Sequence, residues 1–443
     1  MSTTNKKVLI ITYYWPPSGG AGVQRWLKLS KYLPEFGVEP IILTVDEEHA
    51  SYPQVDASLL IDIHPDLQVR KTKSFEILNW YKKLRKTSKV PYGGFANQAE
   101  NISLSEKIMR FIRGNFFIPD ARKGWNKYAI KEAVKIISSE DIQTIITTGP
   151  PHSTHLIGLK LKRKYPQINW LADFRDPWTD IFYNDLLMQT RIAKKLNIRM
   201  ERRVLEKADS IATVGENLKK ILVEKSKLAI SEKIFILPNG FDPADFKSLE
   251  EKSSSNIFKI IYLGTASKDY PFQNILEAIH LLEEKEKANI QFETIGSFDY
   301  ETDLLFKKYE PSFTIIKKPY ISHDEVPNKL NSADLLVLMI PKTKNDKLII
   351  TGKIFEYLAV RKTILGIGPV DGDASKIVQE TDAGEFFQTN DIASIKGFIR
   401  ENLKENTATF KGIEKYSRKK QAEKLGGLLK TLQQAVPRDE ISR

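Results

Sequence analysis

Short apolar runs of three to six residues alternate along the chain with longer stretches in which apolar side chains return every three to four positions. The runs suit strands buried on both faces and the longer stretches suit helices with one buried stripe, so the pattern predicts parallel sheets covered by helices. A first series of strands is expected at Lys7 to Thr12, Pro40 to Val45, Thr144 to Thr147, Trp170 to Asp173, Ser210 to Thr213 and Ile234 to Ile236, with a helix from about Val23 to Leu33. The stretch from Ser248 to Asn256 is polar, Ser-rich and without periodicity, and reads as a linker. A second series follows at Phe258 to Leu263, Gln291 to Ile295, Phe313 to Lys317, Leu335 to Met339 and Thr363 to Gly366. The fold class is α/β, with two doubly wound parallel-sheet domains over residues 1–247 and 248–416, and a cleft expected between them. The region 46–125 does not fit the alternation and is taken as an insertion between strands. The last periodic stretch, Ser417 to Val436, places Leu425, Leu428, Leu429 and Leu432 on one face of a predicted helix within 417–443.

The chain's 443 residues suit two cores rather than one. It contains no cysteine, which excludes disulfides, thiolate zinc sites, iron-sulfur clusters and cysteine nucleophiles. No apolar run approaches the ~20 residues a bilayer span requires, so a cytoplasmic protein is expected, with any membrane contact peripheral and at the inner face. Charge is unevenly distributed. Residues 1–240 hold 38 Lys+Arg against 25 Asp+Glu, whereas the remainder is nearly balanced, and the total is +12. Such a first half suits anionic lipid or a lipid-linked phosphate, and nucleic acid is not expected because the basic residues sit in no known reading motif. Within the insertion, Trp80 and Tyr81 stand among Lys82, Lys83, Arg85, Lys86 and Lys89. Further on, Leu104, Ile108, Phe111 and Ile112 recur at helical spacing beside Lys107, Arg110 and Arg113. Either stretch suits an anionic membrane surface; core contact on one side and water on the other is the alternative.

Candidate chemistry lies in the loops that follow strands. After the first strand, Gly19, Gly20 and Gly22 precede a helix, where a close backbone approach and free N–H groups suit a phosphate or carboxylate; a tight packing turn is the alternative. The loop at the carboxyl end of the strand from Trp170 carries Asp173, Arg175, Asp176, Trp178 and Asp180, whose mixed charges suit hydroxyls and phosphate or a self-satisfied ion network. His152 and His155 follow another strand, and no acidic partner at ligand spacing makes them a zinc site, so no metal is expected. His152, in the turn, is preferred over His155, which is expected inside the helix. In the second half, Gly264 ends a strand and Lys268 follows in a polar loop. Thr351, Gly352 and Lys353 open a helix, with Glu356 one turn in. A cation beside helix-end amides suits a diphosphate, and a carboxylate one turn on can accept two ribose hydroxyls.

Taken in order, KVLIITYYWPPSGGAGVQRW, WLADFRDPWTD, SIATVGENLKKIL, IFILPNGFDPADF, IIYLGTASK and TGKIFEYLAVRKTILGIG resemble the bacterial GT-B glycosyltransferases of family 4, especially those that build capsule and other surface polysaccharides. The resemblance spans most of the chain. It implies two Rossmann-like domains, a nucleoside-diphosphate-sugar donor held mainly by the second, a glycan or lipid-linked acceptor held by the first, and a final helix crossing back to the first. It also implies retention at the anomeric carbon, no essential metal and no cofactor. By motif match, Glu356 would hold the ribose, Lys268 the diphosphate, and Gly19 and Gly20 the loop beside it. Arg175 and Asp176 fall where many members carry a His-Asp pair. Leu348 stands where a second glutamate is common, and Thr265 where a basic residue is common. The alternatives are an epimerase or phosphorylase of the same fold, or a non-catalytic partner subunit of a transferase.

Overall fold

The computed structural model describes residues 6–75, 104–250, 256–322, 324–405 and 408–434. The chain divides into two compact units, Met1–Pro238 with Arg418–Arg443, and Asn239–Ser417.

The first unit is built on a seven-stranded sheet in the order β3-β2-β1-β4-β5-β6-β7, every described pairing parallel. Its strands are β1 (Lys6–Ile11), β2 (Val38–Val45), β3 (Gln68–Thr72), β4 (Thr144–Gly149), β5 (Asn169–Phe174), β6 (Ser210–Thr213) and β7 (Ile234–Ile236). Its helices are α1 (Ala21–Tyr32), α2 (Leu104–Phe116), α3 (Asn126–Ser139), α4 (Ser153–Lys164), α5 (Arg191–Lys207) and α6 (Glu216–Lys225). Helix α1 buries Val23, Trp26, Leu27 and Leu29 against Val8, Ile10, Ile42 and Leu171 of the sheet.

Part of the region expected as an insertion belongs to the sheet. β3 pairs with β2 from Ile41↔Gln68 to Val45↔Thr72, and the indole of the buried Trp125 donates to Thr72 Oγ1 at 2.8 Å. As an edge strand, QVRKT leaves polar side chains in water and so lacks the apolar run that marks the inner strands. The basic stretch from Trp80 to Lys89 lies outside the described residues.

The second unit has a six-stranded parallel sheet in the order β10-β9-β8-β11-β12-β13. The strands are β8 (Phe258–Leu263), β9 (Ile290–Ile295), β10 (Thr314–Lys318), β11 (Leu335–Met339), β12 (Thr363–Ile367) and β13 (Gly384–Phe387). The helices are α7 (Phe272–His280), α8 (Glu284–Lys287), α9 (Tyr300–Tyr309), α10 (Val326–Asn331), α11 (Lys353–Ala359), α12 (Asp373–Glu380) and α13 (Ile392–Lys404). Alternate residues of the inner strands enter opposite cores: Ile260, Tyr262, Leu335 and Val337 enter one, and Ile261, Leu336 and Leu338 the other. That division is why these strands read as unbroken apolar runs rather than alternating ones.

The boundary between the units falls at Pro238, nine residues before the expected 247. Phe241, Phe246 and Leu249 pack on the core beneath α11 and α12, so the segment read as part of the first domain is held by the second unit's apolar surface. The last helix, α14 (Arg418–Gln434), belongs to the first unit, where Ala422, Leu425 and Leu429 are buried in the core beside α1. Asn169 Nδ2 donates to the carbonyl of Leu432 at 3.1 Å and Lys424 Nζ to that of Ile236 at 2.8 Å.

Each sheet reverses its strand order once, between β1 and β4 in the first unit and between β8 and β11 in the second. At such a point the two following loops diverge to opposite faces of the sheet and leave a crevice beyond the carboxyl ends of the strands, the usual ligand position in open α/β sheets.

Candidate functional site

The loops at the β8/β11 reversal bring Gly264, Thr351, Lys353 and Glu356 to one end of the second sheet. Gly264 follows β8 with φ +128°, a conformation L side chains rarely adopt, and its N–H donates to the Ile295 carbonyl at 2.8 Å. A Cβ on this residue would stand 2.5 Å from Lys353 Nζ, so the absent side chain is the space the lysine occupies. Lys353 opens α11, and its amine donates to the Tyr262 hydroxyl at 3.0 Å while lying 4.3 Å from the centre of that ring. The amine is thus held over the end of β8 and not extended into solvent. Desolvation lowers its pKa to about 8, with Glu356 opposing.

Glu356 lies half-buried one turn into α11, and its side chain makes no hydrogen bond or ion pair among the described residues. Burial raises its pKa to about 7, opposed by Lys353 and reinforced by Asp245. The hydroxyl of Thr351 is likewise buried without a partner among the described residues. α11 spans only seven residues, so side chains rather than a helix end dominate this site. Lys268 follows Gly264 by four residues. Its N–H donates to Asp299 at 2.9 Å, and its amine is 3.6 Å from Glu301 on a partly exposed loop.

The β1/β4 reversal gathers the first unit's candidates. Ser18 pairs with Val55, and Gly19 donates its N–H to the Gln54 carbonyl at 3.0 Å, so Gly19 serves the turn. Gly20, at φ +98°, precedes α1, whose first turn carries no side-chain cap and no acidic residue. Arg175, in the loop after β5, reaches across to this turn. Its guanidinium donates to the carbonyls of Gly149 at 3.2 Å and Pro150 at 2.7 Å, and it fills the space a Cβ on Gly22 would need, with Nη1 2.4 Å from that point. Asp176 beside it is half-buried and makes no hydrogen bond or ion pair among the described residues. Burial raises its pKa, Arg175 opposes, and Asp173 reinforces.

His152 stacks on Trp178 with ring centres 5.2 Å apart and planes 5° from parallel. Burial, then His155 and Arg175, push its pKa well below the usual imidazole range, with the Pro177 backbone opposing. The ring is therefore neutral at neutral pH, and neither of its buried nitrogens has a hydrogen-bond partner among the described residues. His155 lies inside α4 as expected, its Nδ1 2.9 Å from the Thr147 hydroxyl, and burial lowers its pKa to about 3.

Two other acids have partners of their own, Asp173 within β5 and not in the loop, and Asp180 in the loop after it. Asp173 accepts from Arg25 at 2.8 and 3.1 Å, from the Trp26 indole at 2.8 Å and from Thr148 at 2.9 Å, all buried. Asp180 pairs with Lys225, which also reaches the buried Glu201 at 3.1 Å and so ties the loop to α5 and α6. Arg25 and Tyr262 carried no sequence signal. One is a charge within an apolar helix stripe and the other an aromatic within a strand, and only the fold reveals their partners.

No protein-family profile and no curated protein matches the chain. Solved structures do. Sucrose-phosphate synthase from Thermosynechococcus elongatus is similar over 97% of this chain and 100% of its own, with TM-score 0.63 and 12% identity. The lipopolysaccharide outer core galactosyltransferase WaaB in its apo form covers 96% and 99%, with TM-score 0.57 and 10% identity. Anabaena HepE, solved in complex with UDP and glucose, covers 97% of both chains, with TM-score 0.52 and 10% identity. At these identities the likeness is one of fold, and that fold is GT-B.

Proposed function

We propose that the protein is a retaining, metal-independent glycosyltransferase of family 4 type, moving a sugar from a nucleoside-diphosphate-sugar donor to a glycan or lipid-linked acceptor in surface polysaccharide synthesis at the inner face of the membrane. The observation that carries the reading is the half-buried, unpartnered carboxylate of Glu356 beside Lys353 at the β8/β11 reversal. A diol presented by a ribose satisfies both carboxylate oxygens, and nothing else among the described residues does so. The UDP and glucose bound by the fold neighbour HepE support the same ligand class.

As the donor's glycosidic bond breaks, its diphosphate gains negative charge, and the Lys353 amine and Thr351 hydroxyl are preorganised to receive it. The approaching phosphate raises the lysine's pKa and keeps it cationic. Lys268 requires release from Glu301 to join them. On the acceptor side, Asp176 is the carboxylate free to accept a hydroxyl, with Arg175 fixing the loop and neutral His152 offering a hydrogen bond.

The test is calorimetric titration with uridine and guanosine diphosphates. Glu356→Ala is expected to weaken binding roughly ten- to a hundredfold, the worth of ~1.5–3 kcal/mol of charge-assisted hydrogen bonding. Because the carboxylate must be ionised to accept, wild-type affinity is expected to fall as pH drops below about 7. Equal binding by the variant and the wild type removes the assigned role.

A further inference from the structure

Large apolar side chains are exposed unevenly over the first unit. Of the nineteen exposed large hydrophobic residues among those described, nine lie in α2 or between Met188 and Ile198. The most exposed of these nine are Leu104 at 75%, Phe116 at 76% and Ile192 at 73%. The two segments meet. Gly114 lets α2 lie against the backbone of Leu187, where a Cβ would stand 2.1 Å from its carbonyl oxygen. Asn115 then donates to the Met188 carbonyl at 3.1 Å and accepts from the Thr190 N–H at 2.7 Å. Thr190 in turn caps α5, so the last turn of α2 is joined to the first turn of α5.

The charge at this junction has one sign. The first ten residues of α5, RIAKKLNIRM, contain four cations and no acid. Arg191, Lys194, Lys195 and Arg199 are exposed and their side chains make no hydrogen bond or ion pair among the described residues, and the same holds for Lys107 on α2. The nearby acids are Glu106, paired with Arg110 at 2.8 Å, and the exposed Asp185. Apolar side chains standing clear of the surface among unpaired cations complement a layer that is anionic outside and apolar just beneath.

We infer that the α2–α5 junction is a docking surface for an anionic lipid bilayer, with Phe116, Met188 and Ile192 entering the interface and Lys107, Arg191, Lys194 and Lys195 contacting headgroups. This inference rests on the membrane location in the proposed function and gives it a surface, but it is independent of the donor site, and its test needs no turnover. The full chain is floated with vesicles of phosphatidylcholine alone and of phosphatidylcholine containing 30% phosphatidylglycerol. Wild type is expected to bind only the latter, and less as salt rises. At about fivefold per lysine near a charged surface, Lys194→Ala/Lys195→Ala is expected to weaken partitioning some twenty- to thirtyfold. Ile192→Glu should weaken it further, with unchanged circular dichroism melting showing that each variant is folded. Variants that float like wild type place any lipid contact elsewhere and overturn the inference. Equal binding to neutral vesicles overturns it too, as does a dimer in sedimentation that Ile192→Glu abolishes while vesicles capture nothing.

Discussion

Glu356 is held in a form the unfolded chain does not favour. Its pKa rises from 4.5 in the unfolded chain to about 7 in the fold, so between those values the native state binds the extra proton and stability falls as pH rises. Above pH 7 the penalty is complete, of order 1–3 kcal/mol for this half-buried group. Glu356→Gln is therefore expected to be more stable than wild type in urea at pH 8, with the difference shrinking toward pH 5. A residue kept at such a cost fits the exchange of stability for function seen at binding sites. Gly264 supports the same cluster from the other strand. Gly264→Ala meets both a disfavoured φ and the Lys353 amine, and is expected to cost about 1–3 kcal/mol in urea unfolding and to weaken nucleotide diphosphate binding as well. Sequence made the carboxylate and the lysine legible as candidates, because a cation at a helix start with a carboxylate one turn on is a chemical signal. It did not show that the lysine turns back onto Tyr262, since that partner is ninety-one positions away.

At the scale of elements, the ion pair between α1 and β5 holds the first unit's helix layer in register with its sheet. Arg25 and Asp173 are both fully buried, and Trp26 and Thr148 complete the carboxylate's hydrogen bonds. Arg25→Ala leaves that carboxylate in the core with only neutral donors, and is expected to cost about 3–5 kcal/mol by denaturant unfolding. The elements legible in the sequence were those whose burial leaves an apolar run, and strands such as Ser210–Thr213, Phe258–Leu263 and Leu335–Met339 stand where the pattern put them. β3 and β13 escaped notice for one reason. Each is a sheet edge with at most one aliphatic residue, QVRKT in one and GEFF in the other, whereas the edges β7 and β10 keep IFI and TII and so remain legible. The same reasoning explains Gly19, which reads as a ligand loop in sequence but donates its N–H to Gln54, a partner supplied by the segment leading to β3.

At the scale of the whole molecule, the first unit depends on a helix encoded after the second. Ala422, Leu425 and Leu429 fill its core, and the two leucines alone contribute about 2–3 kcal/mol each by burial. A chain ending at Ser417 is expected to lose hydrogen-exchange protection in β1, β2 and α1, while β8 and β11 keep theirs, measured by mass spectrometry. The linker reading at Ser248 to Asn256 put the division too late, because a polar run marks where the chain is exposed and not where its contacts change sides. Phe241 and Phe246 carried the better signal, though which core they join is a property of the fold.

The return of α14 also sets an order of events during synthesis. The residues that complete the amino-terminal core leave the ribosome only after Asn239–Ser417 has emerged. At 5–20 residues per second that interval is about 10–35 s. Throughout it, the seat of α14 beside Trp26 and Leu33 stands open, while the continuous segment between has every strand it needs to close its own sheet.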